Sequence, residues 1–244
     1  MKPTPCSKGN PLRFSEQNNI STLVEMNKGN KSKVGDLDKL ILYLDQLAAV
    51  CDPYISDHST HVRDLSVQLA VQVKFPSKKL KALSHAALLH DIGKVVLPEQ
   101  IINKPSRLTE AEFLMVQRHT VLGHKLLRPL EMDVMIGNAT LYHHENFDGS
   151  GYPTGLSGEA IPLEARIIRI TDFYDALVCP RSYRGAFTTK AALDLFLKNR
   201  HYFDPILLET FLRMQGGEYL SSGVPLVFRQ TSVGIPSVVD ENVL

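Results

Sequence analysis

The chain lacks tryptophan, is poor in cysteine and carries almost no net charge, and the last two shortages narrow its function. Lys and Arg number 27 against 26 Asp and Glu, so no global field gathers a nucleic-acid polymer or an anionic membrane. An anionic substrate must then be held by a local cluster. The three cysteines, Cys6, Cys51 and Cys179, are odd in number, widely spaced and form no Cys-x-x-Cys, which argues for a reducing, cytoplasmic setting. The basic residues near the N-terminus are followed by no apolar run, so they are not read as a secretory signal. The most apolar long stretch, Leu37 to Val50, is interrupted by Asp38, Lys39, Asp45 and Gln46 and does not read as a membrane span. There is no Gly-x-Ser-x-Gly motif, no cysteine in a histidine context, no internal repeat and no low-complexity tract.

What is present is helical periodicity. At 244 residues the chain is long for one domain and short for two, so one core with peripheral chain is expected. Residues 1–35 are rich in Pro, Ser, Asn, Lys and Gly and read as a flexible leader. From Asp36 the pattern turns helical: Leu37, Leu40, Ile41, Leu44, Leu47 and Ala48 recur at three- and four-residue steps. That stripe is a truncated linker, a homodimer contact or a face packed on its own core. A second helix begins near Ser56 or Asp57 and carries Val62, Leu65, Leu69 and Val73. Ser77 is expected to cap a third, Lys79 to His90. Thr109 with Glu112 forms a capping box for a helix running to about Leu127. Further helices are expected over Met132 to His144, Ala165 to Leu177, Lys190 to Leu197 and from Asp204-Pro205 to Gly216-Gly217. The expected architecture is a single all-α bundle over 36–215, with a tail at 216–244 that has strand-like pieces (Pro225 to Arg229) but no hairpin signal.

Chemistry concentrates in the nine histidines. His58, His90, His119 and the adjacent His143-His144 fall on or at the ends of different expected helices, and a bundle can aim such residues into one interior cavity. Asp91 follows His90, and Asp172 interrupts an apolar stretch. Imidazole and carboxylate together suit Fe, Mn, Zn or Co, whereas an all-oxygen set would suit Mg or Ca. Neighbouring residues leave a helix about 100° apart, so His-Asp and His-His pairs can serve two metals. Each residue alone has a plainer account. A single histidine on an apolar helix is more often satisfied in the core or at the surface, and Asp172 could pair with Arg166 or Arg169. His61, His85, His124 and His201 are left to that plainer account.

The joint context overturns it for the others. His90-Asp91-Ile92-Gly93-Lys94, followed by His143-His144-Glu145-Asn146-Phe147-Asp148-Gly149-Ser150-Gly151-Tyr152-Pro153, resembles the HD-GYP family of bacterial metal-dependent phosphohydrolases. Asp57-His58-Ser59, Lys104-Pro105, His119, Ile161-Pro162, Asp172, Asp175-Ala176-Leu177, Arg181, Tyr183-Arg184 and Phe203-Asp204-Pro205 continue the likeness over about residues 50–215. The resemblance implies an HD-type helical bundle with a buried di-metal site, holding two divalent ions, Fe or Mn. His58, His90, Asp91 and Asp172 would hold one ion, and Asp91 would bridge to a second held by His119, His143 and His144. Some members bind a third through a glutamate four residues before the first histidine; Tyr54 stands there in this chain.

The implied activity is hydrolysis of cyclic di-GMP to the linear dinucleotide, in some members on to GMP, by a hydroxide bridging the two ions. Lys94 would contact the phosphate or protonate the leaving group, its plainer role being a C-terminal helix cation. Gly151 and Tyr152 would meet the substrate through backbone N–H groups and a ring, their plainer role being a turn that closes a helix pair. Arg181 and Arg184 would clamp phosphate or guanine edges. The implied partners are cyclic di-GMP and signalling proteins such as diguanylate cyclases, with no nucleic-acid polymer and no membrane. The alternatives are hydrolysis of a related cyclic dinucleotide, and a non-catalytic or weakly active receptor that signals through a protein partner.

Overall fold

The structure, a computed structural model, describes residues 33–51, 55–179 and 185–216. Tyr54, Arg181, Tyr183, Arg184, the first 32 residues and the tail from 217 lie outside the described residues. Among those described there is no strand, and no helix is long and apolar enough to cross a membrane. The helices are α1 (Lys33–Cys51), α2 (Ile55–Gln72), α3 (Leu80–Leu89), α4 (Glu99–Ile102), α5 (Glu110–Gln117), α6 (His119–Leu127), α7 (Val134–Tyr142), α8 (Leu163–Val178), α9 (Thr189–Lys198) and α10 (Pro205–Met214).

Helix α8 is the axis of the bundle. It starts directly after Pro162, whose fixed φ suits a helix entry, and every residue from Ile167 to Leu177 is buried. Burial on all sides marks a central helix, and α2, α7, α9 and α10 pack around it. Phe173 on α8, Phe196 on α9 and Phe203 before α10 meet with ring centroids 4.8 to 5.0 Å apart, and Phe211 of α10 closes the cluster. On α1 the apolar stripe divides: Ile41 and Ala48 are buried while Leu42, Tyr43, Leu47 and Val50 face outward.

The Thr109–Glu112 capping box forms as expected. The Thr109 hydroxyl accepts from Glu112 N, and Glu112 Oε2 accepts from Thr109 N. Two details depart from expectation. Ser77 caps nothing; it opens a 3-10 turn, Ser77–Lys79, that runs straight into α3 with no side-chain cap. The helix expected from Thr109 to Leu127 breaks at Arg118. The cause is local: the His119 ring and the Thr120 hydroxyl donate to the carbonyls of Val116 and Gln117. Those oxygens are thereby engaged by side chains in the turn where a continuous helix would use them for backbone bonds.

Candidate metal centre

Two groups of donors converge in the interior. Asp91, His119, His143 and His144 form one, and His58, His90 and Asp172 the other. All seven are buried. They come from α2, the end of α3, the start of α6, the end of α7 and the middle of α8. Asp91 belongs to both neighbourhoods. Its Oδ2 lies 3.5 Å from His90 Nε2 and 3.8 Å from His58 Nε2. Its Oδ1 lies 3.3 Å from His119 Nε2 and 3.8 Å from His143 Nε2. Asp172 Oδ1 completes the His58–His90 group at 3.2 and 3.9 Å from their Nε2 atoms.

The rings are aimed by their own helices. His90 Nδ1 is 2.7 Å from the Ala87 carbonyl, His119 Nδ1 is 2.7 Å from that of Val116, and His143 Nδ1 is 2.9 Å from that of Ala139. A carbonyl can only accept, so in each ring Nδ1 holds the proton and Nε2 presents a lone pair to the centre. His119 Nε2 and His143 Nε2 then face each other at 3.2 Å, and His90 Nε2 and Asp91 Oδ1 have no hydrogen-bond partner. Lone pairs and a carboxylate oxygen converging in a buried space are costly unless a positive charge joins them. The donor set therefore fits divalent cations.

Protonation follows the same logic. Burial pushes His90 down to about 4 and His119 down to about 3, and drives His144 well below its ordinary value, so these imidazoles stay neutral as ligands must. Burial also disfavours the Asp91 charge, but Lys94 and His90 outweigh it and hold the carboxyl far below the usual range. His58 behaves differently. Burial opposes its charge, yet the carboxylates of Asp172 and Asp175 overcome that and lift it to about 9.

Lys94 sits in the 3-10 turn Ile92–Val96 and donates to Asp91 Oδ2 at 2.6 Å, so it is paired to the shared carboxylate rather than capping a helix end. Asp172 faces histidines, not arginines. Arg166 pairs with Asp204, and Arg169 donates from Nε and Nη2 to Asn146 Oδ1. Three of the four histidines set aside have partners elsewhere: His85 with Asp38, His124 with the Gly137 carbonyl and His201 with Asp148. The fourth, His61, contacts Asp175.

Glycines bring the backbone segments of the centre together. A Cβ on Gly93 would stand 1.9 Å from the His119 carbonyl oxygen and 2.6 Å from Gly123 N, so the turn after His90-Asp91 can lie against α6 only without a side chain. In the Gly-Tyr-Pro loop, a Cβ on Gly151 would fall 2.2 Å from Asn146 N and 2.4 Å from the His144 carbonyl oxygen. That close approach accounts for the glycine without an anion. Tyr152 N donates to the His144 carbonyl at 3.2 Å, and its ring stacks on the His144 ring at 4.8 Å. Thr154 donates twice to Glu145 Oε1, at 2.8 and 2.7 Å. The loop is thus stitched to the His143–Asn146 backbone.

One residue with a structural part in the centre had no role assigned from sequence. Asp175 Oδ2 accepts from His58 Nδ1 at 2.7 Å, which orients that ring. Its position one turn after Asp172 on α8 and its place in the family-like Asp175-Ala176-Leu177 run are the marks it carries in the sequence. Asp175→Asn is expected to lower metal affinity by roughly 10- to 100-fold, the usual effect of losing an outer partner of a ligating histidine. Competition titration with a chromophoric chelator measures it, and unchanged affinity would remove this role.

The model of the HD domain family matches residues 43–207. The chain is similar to the cyclic di-GMP phosphodiesterase response regulator RpfG of Xanthomonas campestris pv. campestris, with 35% identity over 204 residues, 81% of this chain and 51% of that protein. It is also similar to 3'3'-cGAMP-specific phosphodiesterase 1 of Vibrio cholerae, at 34% identity over 165 residues, 68% of this chain and 38% of the other. It therefore spans about half the length of the first relative and less of the second. Among solved structures, Bd1817, an HDG"Y"P protein from Bdellovibrio bacteriovorus, shares the fold with a TM-score of 0.57 at 22% identity, covering 67% of this chain and 53% of that one.

Proposed function

The chain belongs to the HD domain family, in its HD-GYP branch, and from that premise we propose that it is a metal-dependent phosphodiesterase opening cyclic di-GMP to the linear dinucleotide. The observation that carries the reading is the division of Asp91, one carboxylate oxygen toward His58 and His90 and the other toward His119 and His143. The ligand assignment that follows gives His58, His90, Asp91 and Asp172 to one ion, and Asp91, His119, His143 and His144 to the other. Five imidazoles with two carboxylates favour Fe or Mn over the harder Mg. Two such ions supply Lewis acidity toward the phosphoryl oxygens and a water activated near neutral pH.

The chain's own groups do the rest. Lys94 Nζ uses one proton to hold Asp91 Oδ2 and keeps two for a phosphate oxygen or the departing sugar oxygen. Tyr152 fixes the His144 ring by stacking and is the ring assigned to pack on a base. Gly151 sets how closely that loop approaches the centre. Arg181 and Arg184, which lie outside the described residues, are assigned by the family pattern to clamping phosphate or guanine edges. A reducing cytoplasm is the compartment the cysteine pattern favours.

The likeness to a 3'3'-cGAMP-specific enzyme makes substrate choice the point to test. Protein loaded anaerobically with Fe or Mn is assayed on cyclic di-GMP, 3'3'-cGAMP and cyclic di-AMP. The expected result is the highest kcat/KM on cyclic di-GMP, abolished by chelation and restored by metal. Preference for another cyclic dinucleotide would correct the substrate; tight binding without product at full metal occupancy would replace the enzyme with a receptor.

A further inference from the structure

A second cluster of donors lies one helical turn from the first on both of its supporting helices. His61 follows His58 by three residues on α2, and Asp175 follows Asp172 by three on α8; Cys179 comes directly after α8 ends. The three converge: His61 Nδ1 is 3.2 Å from Asp175 Oδ1, Cys179 Sγ is 3.3 Å from the same oxygen, and Cys179 Sγ is 3.8 Å from His61 Nδ1. We propose that His61, Asp175 and Cys179 form a separate site for a soft divalent cation, zinc by its donor chemistry, whose occupancy weakens His58 at the buried centre.

The geometry matches a tetrahedral ion. With zinc–nitrogen and zinc–oxygen bonds of about 2.0–2.2 Å and a zinc–sulfur bond of about 2.3 Å, tetrahedral edges come to about 3.3 Å between nitrogen and oxygen and about 3.6 Å from sulfur to either. The observed edges of 3.2, 3.3 and 3.8 Å lie within a few tenths of these. Thiolate, imidazole and one carboxylate oxygen are a zinc-type set, unlike the sulfur-free centre beside it. Access differs as well. The His61 side chain is 38% exposed against 9% for His58, so a fourth position can be taken by water, and entry does not require opening the core. On binding, the Cys179 thiol proton passes to solvent and the His61 ring binds as the neutral tautomer with its proton on Nε2.

The link to the buried centre is Asp175. Its Oδ1 belongs to the second cluster, while its Oδ2 accepts from His58 Nδ1. A cation on Oδ1 withdraws charge from the carboxylate, makes Oδ2 a poorer acceptor and so makes His58 Nε2 a poorer donor to metal. The site itself does not depend on the hydrolytic reading; the coupling does.

Cobalt separates the two sites optically, because only a sulfur ligand gives a thiolate-to-cobalt charge-transfer band in the near ultraviolet. The full chain titrated with Co2+ is expected to show that band. Cys179→Ser should lose it and bind one ion fewer, while Cys51→Ser and Cys6→Ser should keep it; His61→Ala should weaken it. No band at full cobalt loading, or a band that survives Cys179→Ser, would overturn the site. Added Zn2+ is then expected to lower cyclic di-GMP turnover roughly 10-fold, the low end for losing an outer partner, in the parent protein but not in Cys179→Ser. Equal inhibition of both proteins would overturn the coupling. A cobalt band in a protein that turns over no dinucleotide at all would leave the site standing and remove the hydrolytic reading instead.

Discussion

Asp91→Asn is expected to cut turnover about a thousandfold, a loss of about 4 kcal/mol of transition-state stabilisation, and to reduce bound metal from two ions to one or none. The argument rests on one side chain facing two ways. Oδ2 addresses His58 and His90, and Oδ1 addresses His119 and His143. An amide keeps one acceptor oxygen, replaces the other with an N–H2 donor and removes the negative charge between the two groups. It also removes the counter-charge of Lys94, whose side chain is 14% exposed and pairs with Asp91. Elemental analysis gives the metal content and circular dichroism checks that the helices persist. A variant with parental metal and parental turnover would sink the shared-carboxylate reading. His90→Ala combined with Asp91→Ala should abolish both properties together.

Among the glycines of the described residues, Gly93 is where an added methyl group, as in Gly93→Ala, should do the most damage. The new Cβ would meet backbone, at 1.9 Å from the His119 oxygen and 2.6 Å from Gly123 N, and backbone cannot rotate aside as a side chain can. A shift of the turn against α6 is forced. We expect at least about 3 kcal/mol of destabilisation, which for a chain of this size is a fall in Tm of about 6–12 °C. Since His119 is the residue displaced, metal affinity should fall with it. Gly35→Ala supplies the control: a Cβ there meets nothing within 4 Å, and alanine is the better helix former, so its Tm should hold or rise. Equal behaviour of the two variants would show that the close approach at Gly93 does not constrain the fold.

How much of this was legible beforehand depends on the distance over which each feature is determined. The Thr109–Glu112 box forms between residues three apart, and a sequence shows it directly. The apolar repeats placed the principal helices, because burial of one face is a local pattern. The break at Arg118 was hidden, since it depends on which carbonyls the His119 and Thr120 side chains choose. Gly151 read as an anion-binding glycine; only the folded backbone shows the His144–Asn146 segment occupying the space beside it. The His61–Asp175–Cys179 group was invisible because Cys179 is 118 residues from His61 along the chain, and no short motif spans that gap. The convergence of the seven buried donors was signalled by the family resemblance of their motifs, not by spacing alone.

The pairing of α2 with α8 carries a consequence for assembly. Contact between His58 and Asp175 closes a loop of 117 residues, so the centre is among the most non-local features of the fold. Closing long loops is slow relative to forming the helices themselves. The histidines on α3, α6 and α7 acquire their orientation from carbonyls three or four residues away, and are ready as soon as their helices form. His58 is ready only when α8 has docked on α2. Metal capture by the full set should therefore report on the docking of α8 against α2, and a ribosome-bound chain ending before α8 should hold its helices but not the ion of the His58–His90–Asp172 group.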